Sequence, residues 1–210
     1  MNLNGTSHAV IGSATGFVVA NTVHASPSAT LLLVGLGGVS GLIPDLDIDG
    51  KLRGKITLSH KVIRLSAMLI GIMMILYCFF EKTMAERWLG GGIGLLIIVV
   101  ASFIKQKHML TITGIAVLAG GFSLEELWLI LLGVYIVIAS FTSHRSYTHS
   151  ILGIVFFGVI ASNFEASLGI QGVFYACFGG YISHLLADLK ILPFNKRGIK
   201  PFLPLSSMEI

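Results

Sequence analysis

Asp45, Asp47 and Asp49 fall within five residues of one another in the segment Pro44-Asp45-Leu46-Asp47-Ile48-Asp49-Gly50. Three carboxylates so close repel one another unless cations or donors compensate, and a divalent metal does this most directly. A solvated turn, opened by proline and closed by Asp-Gly, uses the same residues without an ion. A calcium loop of the EF-hand type starting at Asp45 would need a glutamate at its twelfth position; the chain has Ile56 there, so that reading fails.

A second cluster is His144-Arg145-Ser146-Tyr147-Thr148-His149-Ser150. Five residues apart on one helix, the two imidazoles would point about 140° apart, so they converge only if a turn separates them and the helix begins near Ser146. Neutral imidazoles suit zinc and similar borderline metals, and Arg145 can hold an anionic oxygen bidentately. The alternative is an interfacial anchor with Arg145 at the lipid headgroups. The third cluster, His184-Leu185-Leu186-Ala187-Asp188, places His184 and Asp188 about 40° apart on a helix face, which suits either shared ligation or a helix-end hydrogen bond. His8 and His60 complete the candidate metal ligands, His60 within a basic stretch where a solvated histidine is the competing reading. His24 and His108 read as solvated loop residues.

The elements that must carry these residues are apolar. Of 210 residues, 54% are hydrophobic and 11% charged, with a mean hydropathy of +0.88. Soluble domains carry about 25% charged residues, so the composition implies an integral membrane protein and excludes disordered and collagen-like chains. Apolar runs cover about 9–23, 29–43, 65–80, 88–104, 109–120, 127–141, 151–162 and 169–183, too long for strands and without strict alternation. The expected fold class is therefore all-α, a polytopic bundle of about eight apolar helices. Several runs are short: 16 residues rise about 24 Å against a hydrocarbon core of about 30 Å, so some helices extend into polar sequence or insert only partly. Cys78 and Cys177 lie deep in apolar runs, as reduced packing residues. No basic n-region or cleavage site follows Met1, so His8 is expected in the mature protein.

If all eight runs cross and the basic loop from Pro44 to Arg64 is cytoplasmic, then twelve of the fourteen basic residues fall inside and only Lys82 and Arg87 outside. Both termini are then cytoplasmic. All four aspartates fall on that side, and so do His8, His60, His108, His144, His149 and His184. Metal-capable side chains gather at the cytoplasmic end of the bundle, where ionisable groups are costly and usually functional.

His8, Leu42-Ile43-Pro44-Asp45-Leu46-Asp47, His144-Arg145-Ser146-Tyr147-Thr148-His149-Ser150 and Gly180-Tyr181-Ile182-Ser183-His184-Leu185-Leu186-Ala187-Asp188, in that order, resemble the YdjM-like inner-membrane metal-dependent hydrolases. The likeness covers about residues 1–60 and 140–205. It implies a prokaryotic inner-membrane enzyme. The ligand order, closing in His-x-x-x-acid, is also similar to the zinc-dependent phospholipase C and P1 nuclease group, which implies phosphate-ester substrates. Two departures stand out. Ile48 replaces a histidine that family members often carry after the PDxD motif, so Asp49 substitutes or that ligand is lacking. Residues 65–141 insert four helices between the motifs, as a scaffold or lipid-facing groove.

The reading is a single domain over 1–210 that hydrolyses a phosphate ester, soluble or lipid-linked, at a cytoplasmic metal site. The ligand candidates are His8, Asp45, Asp47, His60, His144, His149, His184 and Asp188, holding one or more divalent ions, zinc first and manganese or iron next. Asp47 bridges metals or acts as general base, and Arg145 clamps the phosphate. The tail over 189–210, with Lys196, Arg197, Lys200, Phe194 and Phe202, is expected along the interface among membrane lipids. A nucleic-acid partner is not expected, because topology accounts for the basic residues and no stacking platform is recognisable. The rivals are a transporter or metal sensor using the same ligands, disfavoured by apolar mid-segments and the lack of an internal repeat, and an inert scaffold fastened by metal. Gly12-x-x-x-Gly16, Gly37-x-x-x-Gly41 and Gly90-x-x-x-Gly94 would permit close helix contacts.

Overall fold

Each of the eight apolar runs folds as a helix, with ends set by local chemistry rather than by where hydrophobicity stops. The computed structural model describes residues 5–46, 60–81, 83–104, 106–142, 146–190, 198–206 and 208–210. Among these are α1 (Gly5–Thr22), α2 (Pro27–Ser40), α3 (His60–Glu81), α4 (Met84–Ser102), α5 (Gln106–Leu124), α6 (Leu127–Ala139), α7 (Ile151–Leu168) and α8 (Val173–Ala187), with no strand. Two single 3-10 turns, Ile43–Asp45 and Tyr147–His149, sit beside the ends of α2 and α7.

Capping explains the shifts from the sequence reading. Ser26 caps α2 by accepting from Ala29 N, with Pro27 in the first turn, where a missing N–H costs nothing. Ser150, not Ser146, caps α7, so the α-helix begins at Ile151 and only a 3-10 turn follows Ser146. At its other end α7 runs past the apolar run through Asn163 and Glu165 and stops at Gly169, whose φ of 64° breaks the helix. Gly172, at φ 96°, delays α8 to Val173, and α8 then continues to Ala187, so His184 lies in its last turn. His108 stands exposed on α5, a helical residue rather than the loop residue expected, while His24 is exposed at the α1–α2 turn.

The chain divides into two compact units, residues 1–53 with 110–210, and residues 54–109. Of the four helices in the 65–141 stretch, α3 and α4 form the second unit, whereas α5 from Leu110 onward and α6 belong to the first. In the first unit α8 packs on α1, α2 and α7, and α6 packs on α7. Its core gathers Val173, Ala176, Cys177, Tyr181 and Leu185 of α8 around Leu33, Phe157 and Ile160. Gly37 is crowded on two sides: a Cβ there would collide with Gly12 O of α1, and a Cβ at Gly180 of α8 would collide with Gly37 O. α1, α2 and α8 thus meet backbone to backbone, as small residues allow in membrane helices. In the second unit, a Cβ on Gly71 of α3 would lie 2.7 Å from Gly94 O of α4, and one on Gly90 would meet Cys78. All three GxxxG pairs therefore lie at helix contacts. Both cysteines are buried and free.

The outward faces are apolar. Phe17 (54% exposed), Leu31 (75%), Phe80 (75%) and Trp88 (81%) stand among many such residues. A water-soluble monomer rarely carries so much exposed apolar surface, and a bilayer accounts for it. Pro27–Asp45, Lys61–Phe80 and Ile151–Leu168 are long and apolar enough to cross a membrane, while Arg87–Ser102, His108–Leu124, Leu127–Ala139 and Val173–Ala187 are shorter apolar helices.

The tail is partly built into the bundle. Ile199 and Ile210 exchange two backbone hydrogen bonds, Lys190 N donates to Ile210 O, and Ile199 is buried in the main core. Pro201 O accepts from Ile151 N at 2.9 Å, satisfying a donor that α7 leaves open in its first turn. Leu205 and Phe202 remain exposed.

Candidate metal centre

Four chain segments deliver polar side chains to one end of the first unit. α1 brings His8 in its first turn. α2 ends at Ser40, and the turn Ile43–Asp45 carries Asp45 forward, while Pro44 and Leu46 on either side are buried, Leu46 against Leu110 and Ile136. The turn Tyr147–His149 presents His149, and α8 ends with His184 and its capping residue Asp188. His149 and His184 are 0% exposed, His8 and Asp188 2%. Burying these groups is unfavourable unless each has a partner.

The hydrogen bonds decide which atoms face inward. His184 Nδ1 lies 2.7 Å from Gly41 O. A carbonyl only accepts, so Nδ1 holds a proton, and His184 turns its Nε2 into the cluster. That Nε2 is 3.3 Å from His149 Nε2, 3.6 Å from Asp45 Oδ1 and 3.7 Å from Asp188 Oδ2. His149 Nε2 in turn lies 3.8 Å from each of those oxygens. Four candidate donor atoms from three segments, the end of α8 and the two turns, thus lie near one another, with two carboxylates among them. Ligand atoms about 2.1 Å from a tetrahedral zinc are about 3.4 Å apart, and the separations from the two Nε2 atoms to each other and to the two oxygens, 3.3 to 3.8 Å, lie near that spacing.

His8 completes a second, overlapping group. His8, His184 and Asp188 could hold a metal ion, as could Asp45, His149 and His184. His8 Nε2 is 3.5 Å from Asp188 Oδ1, on the side of the carboxylate away from His149, and its ring stacks on His184 at 3.9 Å. Its Nδ1 has no hydrogen-bond partner among the described residues. Because both groups use His184, whose other nitrogen is committed to Gly41, they can ligate one common ion through it but not two.

The support around the ligands is specific. Tyr181 donates to Thr148 O in the turn before His149 and lies 3.1 Å from Tyr135 OH. Its ring stacks on Phe157 at 4.7 Å. Thr148 Oγ1 is 3.1 Å from His149 Nδ1, and Ser150 Oγ donates to Tyr147 O at 2.7 Å. Partners of this kind fix imidazole orientation and raise ligand strength.

Of the sequence-predicted residues, the structure brings together His8, Asp45, His149, His184 and Asp188. Asp47, Asp49, His144 and Arg145 lie outside the described residues. His60 opens α3 in the second unit, and its side chain also lies outside the description. Tyr181, Tyr135, Thr148 and Gly41 were not assigned roles from sequence. Tyr181 stands three residues before His184 on α8, a face-sharing signal, but the partners of Gly41 and Tyr135 depend on tertiary contact.

The family model described as YdjM inner membrane protein matches residues 3–210, nearly the whole chain. The chain belongs to the YdjM inner membrane protein family. No curated protein and no solved structure matches it. In this YdjM chain the matched stretch contains every residue of the His/Asp cluster.

Proposed function

We propose that this YdjM-family protein is a membrane-bound metal-dependent hydrolase of a phosphate ester, with its centre facing the cytoplasm. The observation that carries the reading is the convergence of the His149 and His184 Nε2 atoms, 3.3 Å apart, with two carboxylate oxygens within 3.8 Å. Carboxylates gathered around two imidazole nitrogens in that arrangement suit a divalent cation, zinc before manganese or iron.

Asp45, His149, His184 and Asp188 would hold the ion, while His8 steadies the far oxygen of Asp188. When bound, the ion supplies Lewis acidity, polarising a phosphoryl oxygen and acidifying water. Asp45 is the most open of the four, its side chain 15% exposed, so water and ester approach past it. Asp47, two residues on, takes the proton from the attacking water, and Arg145 receives the phosphate oxygens bidentately. The water oxygen forms the new bond to phosphorus, the ester P–O bond breaks, and the alcohol leaves with a proton.

A second reading, a metal clamp fastening helix ends without turnover, is favoured by the complete burial of His149 and His184. Elemental analysis of purified wild type beside the His149→Ala, Asp188→Ala double variant, followed by phosphomonoesterase and phosphodiesterase assays, separates the two. Bound metal with metal-dependent hydrolysis, both lost in the double variant and hydrolysis lost in Asp45→Asn, supports the hydrolase. Metal without hydrolysis of any ester leaves the clamp, and no metal after reloading sinks both.

A further inference from the structure

Beside the metal centre, α6, the Tyr147–His149 turn and α7 enclose a groove of 280 Å³. Its floor is buried, made of Tyr135 (5% exposed) and Ala139 (1%) of α6 with Thr148 (3%) of the turn. Its rim is open and apolar: Ile138 (50% exposed) on α6, Leu152 (52%) on α7 and Tyr147 (42%) between them. The groove and the centre share one turn, because Thr148 lines the groove while the next residue, His149, enters the cluster with Thr148 Oγ1 3.1 Å from its Nδ1. A molecule lying in the groove therefore rests against the turn that carries His149 and against α6 and α7.

What fills such a groove follows from its surroundings. α7 is one of the helices long and apolar enough to cross a membrane, and the chain belongs to an inner-membrane family. Ile138 and Leu152 on the rim stand on outward helix faces, where the neighbouring solvent is hydrocarbon rather than water. The lining offers few polar groups, and the hydroxyl of Tyr135 is already engaged with Tyr181. An apolar groove whose rim faces hydrocarbon and whose floor includes the turn that bears His149 matches an amphiphile with one long chain in the groove and its headgroup toward the cluster.

We propose that this groove holds an acyl chain of a membrane phospholipid whose phosphate headgroup lies at the His/Asp centre. The substrate is then a lipid taken laterally from the bilayer, not a soluble ester. This rests on the hydrolase reading for turnover, whereas binding of the chain can be read without it.

The test places the wild-type protein in nanodiscs of phosphatidylcholine containing phosphatidic acid with a diazirine on its acyl chain. Photolabelled residues are then mapped by mass spectrometry. Labelling concentrated on Ile138, Leu152 and Phe156, at least tenfold over outward residues of α3 such as Leu69 and Phe80, and competed by unlabelled phosphatidic acid, is the expected result. Labelling spread evenly over the outward faces overturns the proposal. Leu152→Trp narrows the groove from its exposed rim, away from the ligands. It should abolish the concentrated labelling and raise KM for phosphatidic acid at least tenfold, with hydrolysis of a short-chain, water-soluble phosphate monoester unchanged. Equal loss on both substrates, or equal labelling in wild type and variant, rejects the groove as the chain site. Concentrated labelling by a wild type that hydrolyses neither substrate keeps the chain site and rejects the hydrolase reading instead.

Discussion

His184 commits one nitrogen to Gly41 and turns the other toward His149, Asp45 and Asp188. The nitrogen of His184 that does not face Gly41 serves both candidate groups, so the cluster is expected to hold a single ion. Elemental analysis should return close to one equivalent per chain for the described ligands, and Asp188→Asn, nearly isosteric, should reduce that at least tenfold while the protein stays monodisperse. Full metal retention in Asp188→Asn would remove Asp188 from the ligand set. Tyr181→Phe probes the support instead. It keeps the stack on Phe157 but leaves the buried Thr148 carbonyl without its phenol donor, a cost of about 1–3 kcal/mol. Its melting temperature should fall, and its metal affinity with it, by about 10–100-fold if the turn bearing His149 loosens; an unchanged affinity with lowered stability would confine Tyr181 to packing. The residues of the cluster were legible in the sequence because His and Asp are rare in an apolar chain and, His8 apart, were concentrated in three motifs. Gly41 and Tyr135 were not, since a backbone carbonyl carries no residue signature and the hydroxyl of Tyr135 finds Tyr181 from another helix.

Helices were legible as apolar runs, but their ends were not. Hydrophobicity stops at Ala161–Ser162 while α7 continues to Leu168, because a helix ends where the backbone is capped or broken, here at Gly169. The same holds for α8, whose late start at Val173 and late finish at Ala187 bring His184 onto the helix and Asp188 to its cap. The GxxxG spacings were visible yet carried little weight alone, and only the packing reveals that Gly37 faces both Gly12 and Gly180. Gly37→Ala should therefore cost about 1–3 kcal/mol or more, since backbone on two sides must move. Gly35→Ala on the same helix, where an added Cβ meets nothing within 4 Å, should be neutral or slightly stabilising. Thermal stability by size-exclusion chromatography in detergent compares the two, and equal effects would mean that the α1–α2–α8 crossing is looser than the contacts indicate. A separate loss of metal binding in Gly37→Ala is also expected, because α1 and α8 carry part of the cluster and α2 leads into the turn that bears Asp45.

At the scale of the molecule, fold class was readable from composition, since few charged residues and long apolar runs leave little but a helical membrane bundle. The division into two units was not, because hydropathy does not report which helices pack together: α3 and α4 form the second unit, while α5 and α6 join the helices bearing the motifs. The skew of basic residues toward one set of loops predicts a cytoplasmic C-terminus. A green fluorescent protein fused after Ile210 should fluoresce, and alkaline phosphatase inserted at the exposed α1–α2 turn near His24 should be active. The reverse pattern would put the metal centre on the outer side. The contact between His8 and Asp188, 3.5 Å apart across 180 residues of chain, sets an order on biogenesis. Both candidate groups need His184, so a nascent chain stopped before α8 holds His8, Asp45 and His149 but neither complete set. If the cluster takes an ion, its capture belongs to the end of synthesis, after the earlier helices have entered the bilayer.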